Sequence, residues 1–200
     1  MTGWKSNRVF DGDHRARNRS CVIQVMTTHR FSIAEYYRLG ELGLLDQRTE
    51  LIDGIILDME PIGPWHADIL QILAHTFDQQ ACGRFSVRVQ SPIDLGSVSQ
   101  PQPDLVLCKV QRYRNRHPGP AQIYLVVEVA DTTLDFDLGQ KRDLYANAGV
   151  PEYWVIDAQA KKLTRFLLAG TDLVERAVSG TSVSPEAFTD VSIDLAELFG

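Results

Sequence analysis

Two apolar runs near the middle of the chain, PQPDLVLCKV (101–110) and YLVVEVAD (124–131), each carry one carboxylate among residues typical of buried strands. The two acids are Asp104 and Glu128. An isolated carboxylate in an apolar interior is so unfavourable that it takes up a proton or acquires a partner. We therefore expect a positive charge to meet these two acids.

The spacing of the acids predicts where that charge lies. Alternate residues of a strand share a face, so Glu128 is expected on the side of Tyr124 and Val126. If the two strands pair, Asp104 and Glu128 converge on one face. Mg²⁺ suits such a pair because hard cations take oxygen ligands and are often held by one or two carboxylates plus water, with Mn²⁺ as an alternative ion. The backbone carbonyl of Val129 is a candidate third ligand.

The segment after Glu128 predicts a helix with a lysine on its apolar face. Lys141 recurs at helical spacing with apolar side chains of the same stripe, namely Leu138, Leu144, Tyr145 and Ala148. Such a lysine must reach solvent or find an acid. Its candidate target is the Asp104 and Glu128 pair, where it would orient or deprotonate a water near a scissile phosphate. The alternative is a surface lysine paired with Asp137, four residues earlier.

The rest of the pattern predicts an α/β fold built on a mixed β-sheet flanked by helices. Ser32 and Glu35 have capping-box spacing at the start of a first helix, and Asp53-Gly54 between apolar runs is a strong hairpin signal. Further helices are predicted at 64–80, 137–149 and 194–199, and further strands at 84–95, 103–110, 123–131, 152–158, 161–169 and 172–179.

Length and composition indicate one domain over residues 26–200, preceded by a polar, basic stretch at 1–25. We expect this stretch to be a disordered arm or an over-extended gene start, because Met26 opens a natural beginning. The chain has no apolar run of about 18 residues and no apolar core of a signal peptide, which favours a cytoplasmic protein. The three cysteines, Cys21, Cys82 and Cys108, form no CxxC pair and are predicted to be reduced thiols.

The formal net charge of -6 argues against a protein that coats nucleic acid through a general basic surface. Any DNA contact would be local. The stretch KVQRYRNRH (109–117) is basic and offers Arg112 and Arg114 as candidate substrate contacts. The alternative is a solvated loop between two strands.

Longer motifs carry a resemblance to a known family. Pro103-Asp104 followed by Glu128 resembles the signature of the PD-(D/E)XK nuclease superfamily, in which paired acids bind Mg²⁺ for phosphodiester hydrolysis. Two long stretches, ELIDGIILDMEPIGPWHADILQIL (50–73) and VVEVADTTLDFDLGQKRDLYANAGVPEYWVIDA (126–158), resemble more narrowly the Uma-type family of restriction endonucleases. The likeness covers about residues 27–200 and implies a restriction-endonuclease-like fold.

The resemblance also implies roles for individual residues. Asp104 and Glu128 match the metal-binding acids, Glu50 matches the acid before the LIDG hairpin, and Lys141 matches a catalytic lysine that has migrated onto the following helix. The superfamily usually has its lysine two residues after the glutamate, where this chain has Ala130. His66 also matches a family position, either as a substrate contact or as a histidine at the edge of the core.

By this resemblance the chain is expected to be a Mg²⁺-dependent endonuclease that hydrolyses phosphodiester bonds of DNA, with a homodimer as a plausible assembly. Two alternatives remain open at this point. One is a nuclease-like module that binds or assembles without turnover. The other is a metal-dependent phosphodiesterase that acts on small substrates.

Overall fold

The computed structural model describes residues 27–45 and 48–200. The arm predicted at 1–25, and Cys21 within it, lie outside these residues. Cys82 and Cys108 are free thiols, as predicted. Every helix in the described ranges is too short or too polar to traverse a lipid bilayer.

The chain forms ten strands and five α-helices within the described residues. The helical elements are α1 (Ile33–Glu41), α2 (Pro64–Ala81), α3 (Leu134–Phe136), a π-helical turn (Asp137–Lys141), α4 (Arg142–Ala148) and α5 (Leu195–Phe199), with a 3-10 turn at Pro120–Gln122. The strands are β1 (Thr49–Ile52), β2 (Ile55–Asp58), β3 (Ser86–Val89), β4 (Leu105–Cys108), β5 (Ile123–Ala130), β6 (Glu152–Asp157), β7 (Lys162–Ala169), β8 (Asp172–Arg176), β9 (Ser182–Val183) and β10 (Ile193–Asp194).

Six strands form the central sheet in the order β3-β4-β5-β6-β7-β8. Strands β5 and β6 are parallel, and all other neighbours are antiparallel. Parallel neighbours require a long connection. Here the chain makes that connection between β5 and β6 through α3, the π-helical turn and α4. The predicted mixed sheet with flanking helices is therefore confirmed.

The two faces of the sheet bury different side chains. Helix α2 packs on the face that carries Leu105, Val127 and Trp154, together with α5. The other face carries Val126 and Tyr153, against which Tyr145 of α4 packs. Alternation along β5 places Glu128 on this second face with Val126, as predicted.

Tyr124 does not share that face, so this part of the prediction is wrong. The register between β4 and β5 shifts between Leu107 and Cys108, and the bulge leaves Tyr124 without a partner on β4. A bulged residue adds one position to its strand, so the residues before it point to the opposite face from the one that simple alternation predicts. The ring of Tyr124 consequently packs edge-on against Phe188 on the α2 face, 5.0 Å between centroids.

Strands β1 and β2 form the predicted hairpin, which stands outside the central sheet. Its turn residues Asp53 and Gly54 both have positive φ, 48° and 73°, as a two-residue type I′ turn requires. The hairpin is attached through two backbone hydrogen bonds between Leu51 and Gln100 and one from Gly54 to the carbonyl of Val98. This attachment brings β1 against the loop that leads into β4.

The helix predicted as continuous over 137–149 is interrupted. Residues Asp137–Lys141 form a π-helical turn between α3 and α4. A π turn is wider than an α turn, so the side chains that follow it point in directions that an uninterrupted α-helix would not give them. Lys141 is the last residue of the π turn, and it is buried.

Candidate active site

A cavity of about 440 Å³ opens where β4 begins and β5 ends. Its walls come from the β1-β2 hairpin, the first turn of α2, the ends of β4 and β5, and the π turn. Six residues singled out from the sequence line it, namely Glu50, His66, Asp104, Glu128, Val129 and Lys141. The basic loop at 109–117 follows the other end of β4, so its candidate contacts Arg112 and Arg114 lie outside the cavity.

Lys141 lies at the centre of the charged groups and is only 6% exposed. Its Nζ is 3.0 Å from Oε1 of Glu128 and 3.4 Å from Oε1 of Glu50. Asp137 is also near, with 3.9 Å between Nζ and Oδ1. The surface-lysine alternative is therefore wrong, although the contact with Asp137 on which it relied does exist. Burial alone would lower the pKa of Lys141, but these three carboxylates raise it and hold the side chain in its cationic form.

Glu128 uses its two carboxylate oxygens differently. Oε1 accepts hydrogen bonds from Lys141 Nζ at 3.0 Å and from the hydroxyl of Tyr145 at 2.6 Å. Oε2 is turned towards Asp104, whose backbone N–H donates to it at 3.4 Å. Burial raises the pKa of Glu128 to about 8; Lys141 opposes that rise, and the neighbouring acids add to it. An added cation would relieve this unfavourable charge.

Asp104 is fixed from two sides. The backbone N–H of Val129 donates to Oδ2 at 2.8 Å, and Nε2 of His66 lies 2.9 Å from Oδ1. Because a carboxylate only accepts, the imidazole donates in this contact. His66 belongs to α2 and is 8% exposed. It is thus a buried residue of the cavity wall that contacts Asp104.

The outer members of the cluster are also held by hydrogen bonds. The backbone N–H of Gln102 donates to Glu50 at 3.1 Å, and the hydroxyl of Thr133 donates to Asp137 at 2.6 Å. Burial raises the pKa of Asp137, with Lys141 and Thr133 opposing the rise. Each carboxylate of the cluster therefore keeps a defined direction.

Tyr145 is the site residue that sequence reasoning missed. It was recognised only as a member of an apolar stripe, whereas its hydroxyl contacts Glu128. A signal was available, because Tyr145 follows Lys141 by four residues and residues at that spacing share a helix face. If Lys141 faces buried acids, the hydroxyl of Tyr145 on the same helix face can also reach one of them.

The cavity wall carries a large excess of negative charge. Its basic side chains are Arg48 and Lys141. Its acids are Glu50, Asp58, Glu60, Asp104, Glu128, Asp131 and Asp137. Seven carboxylates against two basic groups favour the binding of a cation.

The donor set fits a hard divalent ion held by few side chains. Across residues 27–45 and 48–200, no three His, Cys, Asp or Glu side chains are grouped as a complete metal site. Mg²⁺ does not require such a group, because it usually keeps several waters and takes one or two carboxylates. Asp104 and Glu128 supply two carboxylates at the cavity, and Val129 lines the same wall.

Comparisons with known proteins identify the family and the fold. A family model described as "Uma2: Putative restriction endonuclease" matches residues 33–196. The chain is also similar in structure to "a putative nuclease belonging to DUF820 from Anabaena variabilis ATCC 29413", with a TM-score of 0.64 and 14% sequence identity over 80% of this chain and 96% of that one. At this identity the likeness concerns the fold. The search of curated proteins gave no match.

Proposed function

The chain belongs to the Uma2 family of restriction-endonuclease-like proteins, and from this premise we propose that it is a Mg²⁺-dependent nuclease that hydrolyses phosphodiester bonds of DNA. The observation that carries the proposal is the convergence of Glu50, Asp104, Glu128 and Lys141 from separate elements on one open cavity. Buried acids in such excess are costly for folding. A binding or catalytic role accounts for that cost.

The ion would be held by Asp104, Glu128 and the backbone carbonyl of Val129. When bound, Mg²⁺ supplies Lewis acidity towards the phosphate and lowers the pKa of water. The protein fixes the orientation of the carboxylates that would bind the ion. Lys141 and Tyr145 occupy Oε1 of Glu128, which leaves Oε2 towards Asp104. His66 holds Asp104 through its Oδ1.

Lys141 acts in this proposal as a positive charge and as an orienting donor. Its carboxylate neighbours raise its pKa, so it keeps its proton near neutral pH and does not serve as the base. A fixed ammonium group stabilises the negative charge that develops on a phosphate during hydrolysis. Glu50 is the second acid that contacts Lys141, with 3.4 Å between Oε1 and Nζ. A lysine that keeps its proton does not deprotonate a water, so Lys141 contributes charge and orientation.

The first turn of α2 adds support for a phosphate substrate. This 18-residue helix begins at Pro64, next to the cavity-lining Gly63, and its first turn is not capped by a side-chain hydrogen bond. Free N–H groups and the helix dipole favour an anion at a helix N-terminus. The carboxylate of Asp131 already lies beside Gly63 at this end of α2, so a phosphate that binds here would take its place.

The test is cleavage of two substrates, supercoiled plasmid DNA and bis(4-nitrophenyl) phosphate, each with Mg²⁺, with Mn²⁺ and with EDTA. The proposal expects metal-dependent cleavage of plasmid by the wild type and none by Asp104→Asn. Asp190→Asn is the matched control, because Asp190 pairs with Arg84 on the surface and lies outside the cavity.

Two results would replace the proposal. Cleavage of the small diester without any cleavage of DNA would identify a phosphodiesterase of small substrates. Absence of both reactions, with Mn²⁺ binding also absent by calorimetry, would identify a nuclease-like module without turnover.

A further inference from the structure

The loop at 109–117 concentrates positive charge in a chain whose formal net charge is -6. Four of its side chains are basic and exposed, namely Lys109, Arg112, Arg114 and Arg116. The next acid along the chain after Asp104 is Glu128. The loop is therefore a local basic surface on an acidic protein.

These four cations are also free of ion pairs within the described residues. Arg84 and the half-buried Arg142 have acidic partners there, Asp190 and Asp143, whereas the exposed Arg30, Arg48 and Arg176 are scattered along the chain and, like the loop cations, make no salt bridge with a described acid. No described carboxylate makes a salt bridge with any of the four loop cations. Asp94 lines a hollow beside Arg114 and Arg116, but Gln100 donates to its Oδ1 at 2.8 Å. Among residues 27–45 and 48–200, the charge of the loop is therefore not neutralised by an ion pair.

Contacts at both ends of the loop hold it in a defined shape. The hydroxyl of Tyr113 donates to the carbonyl of Lys109 at 2.9 Å, and the guanidinium of Arg88 stands 5.4 Å from the centre of the Tyr113 ring. At the far end of the loop, Nε2 of His117 lies 3.3 Å from the hydroxyl of Tyr37 in α1. Burial lowers the pKa of His117, which keeps this anchor neutral. The arginines between these anchors point outward.

The position of the loop relative to the cavity is fixed by β4. Asp104 precedes β4 and Lys109 follows it, so five residues of extended chain separate them, about 16 Å at about 3.3 Å per residue. Tyr113 packs on the same sheet face as Val126, the face that also carries Glu128. On B-form DNA this distance corresponds to about five base pairs.

We propose that the loop at 109–117 is a second nucleic-acid contact, which binds the phosphate backbone of duplex DNA at least about five base pairs from the bond that is cut. This inference rests on the proposed function, because it takes DNA as the substrate. The loop supplies the affinity that the acidic cavity lacks. Its contacts are made to phosphates and carry no sequence preference.

The test measures equilibrium binding of a fluorescein-labelled duplex of about 20 base pairs by anisotropy, in EDTA and across a series of salt concentrations. The double variant Arg112→Glu, Arg114→Glu is compared with the wild type. We expect the variant to bind at least about tenfold more weakly, and the slope of log K against log salt to fall by about 1.8, since each phosphate contact contributes about 0.9.

Lys162→Glu, Arg176→Glu is the control, because it makes the same change in charge at exposed positions on β7 and β8, at the other side of the sheet. Equal weakening by this control, unchanged binding by the loop variant, or no binding by the wild type would each overturn the inference. Cleavage of bis(4-nitrophenyl) phosphate with Mn²⁺ separates the two proposals. This diester is too small to reach the loop, so its cleavage reports on the cavity alone.

Discussion

Two buried glutamates on opposite faces of the sheet, Glu128 and Glu152, have almost the same exposure, 3% and 1%. Their surroundings differ in the balance of charge. Glu152 faces the cation of Arg165, with 2.6 Å between Oε1 and Nε. Glu128 shares one lysine with two further acids, Glu50 and Asp137.

Both carboxylate oxygens of Glu152 accept hydrogen bonds. The indole N–H of Trp154 donates to Oε1 at 2.8 Å, and the backbone N–H of Glu186 donates to Oε2 at 2.6 Å. Arg165 continues outward to the carboxylate of Glu186 at 2.8 Å. This network ties the segment at Glu186 to strands β6 and β7.

The difference separates an acid that supports the fold from an acid that supports a function. A buried carboxylate whose oxygens are matched by donors and one cation stabilises its neighbours. A buried carboxylate with excess negative charge beside an open cavity is unfavourable until a ligand arrives. Burial alone would have placed Glu128 and Glu152 in the same class.

The largest expected effect is on catalysis. Replacing Glu128→Gln keeps the shape of the side chain and removes a proposed metal ligand, so the rate of plasmid cleavage with Mg²⁺ should fall by a factor of about 10² to 10³. Glu152→Gln, assayed at a temperature where it is folded, should cleave at nearly the rate of the wild type. Comparable losses in the two variants would show that the contrast between the two glutamates has no functional meaning.

The next effect is on stability, where Glu152 is expected to matter more than Glu128. Glu152→Gln breaks a buried ion pair and should lower the free energy of unfolding by about 3 kcal/mol. Glu128→Gln should leave it unchanged or raise it, because Lys141 keeps Glu50 and Asp137 as partners. Urea denaturation without divalent ions measures both values. A greater loss in Glu128→Gln than in Glu152→Gln would contradict the distinction.

A smaller effect is expected from two tyrosines that pack against each other, with 4.9 Å between ring centroids. Tyr145 donates to Glu128, whereas Tyr153 donates to the backbone carbonyl of Asp137 at 3.1 Å. Tyr145→Phe should weaken Mn²⁺ binding by about tenfold in calorimetry, as loss of a group that orients a metal ligand does. Tyr153→Phe should leave Mn²⁺ affinity unchanged. Equal affinities in both variants would mean that Tyr145 does not position Glu128.

The last effect is the dependence of stability on pH. The pKa of Glu128 is raised to about 8 in the folded chain, from an ordinary value of 4.5. The folded state therefore binds more protons than the unfolded state between these values, and stability falls as pH rises from about 5 to about 8. The Tm of the metal-free wild type should decrease over this range, and Glu128→Gln should show a weaker decrease. A Tm of the variant that falls as steeply as that of the wild type would refute the assignment to Glu128.

Much of the fold could be predicted because local signals and tertiary structure agree. The Asp53-Gly54 hairpin and the capping box of Ser32 and Glu35 both form. The pairing of β4 with β5 follows from their apolar runs, and it brings Asp104 and Glu128 together as the alternation of side chains required. Each of these features depends on residues that are close in sequence or on a single strand pair.

The parts that were not predicted depend on departures from regular geometry. The bulge at Tyr124 and the π turn at Asp137–Lys141 each change the direction of a side chain without a sequence signal that regular periodicity reveals. The satisfied surroundings of Glu152 depend on Arg165 and Glu186, which are distant in sequence. The basic loop and the cavity lie at opposite ends of β4, which could not be predicted without the direction of that strand relative to the site.

The hairpin that carries Glu50 stands outside the central sheet and is attached through the backbone hydrogen bonds of Leu51 and Gly54 and through the buried side chains of Leu51 and Ile52. Such an appendage can open by local unfolding while the sheet remains intact. Opening would withdraw Glu50 from Lys141 and disassemble the charged cluster without global denaturation. Heat inactivation should therefore precede thermal unfolding, and amide hydrogen exchange in β1 should be faster than in β5.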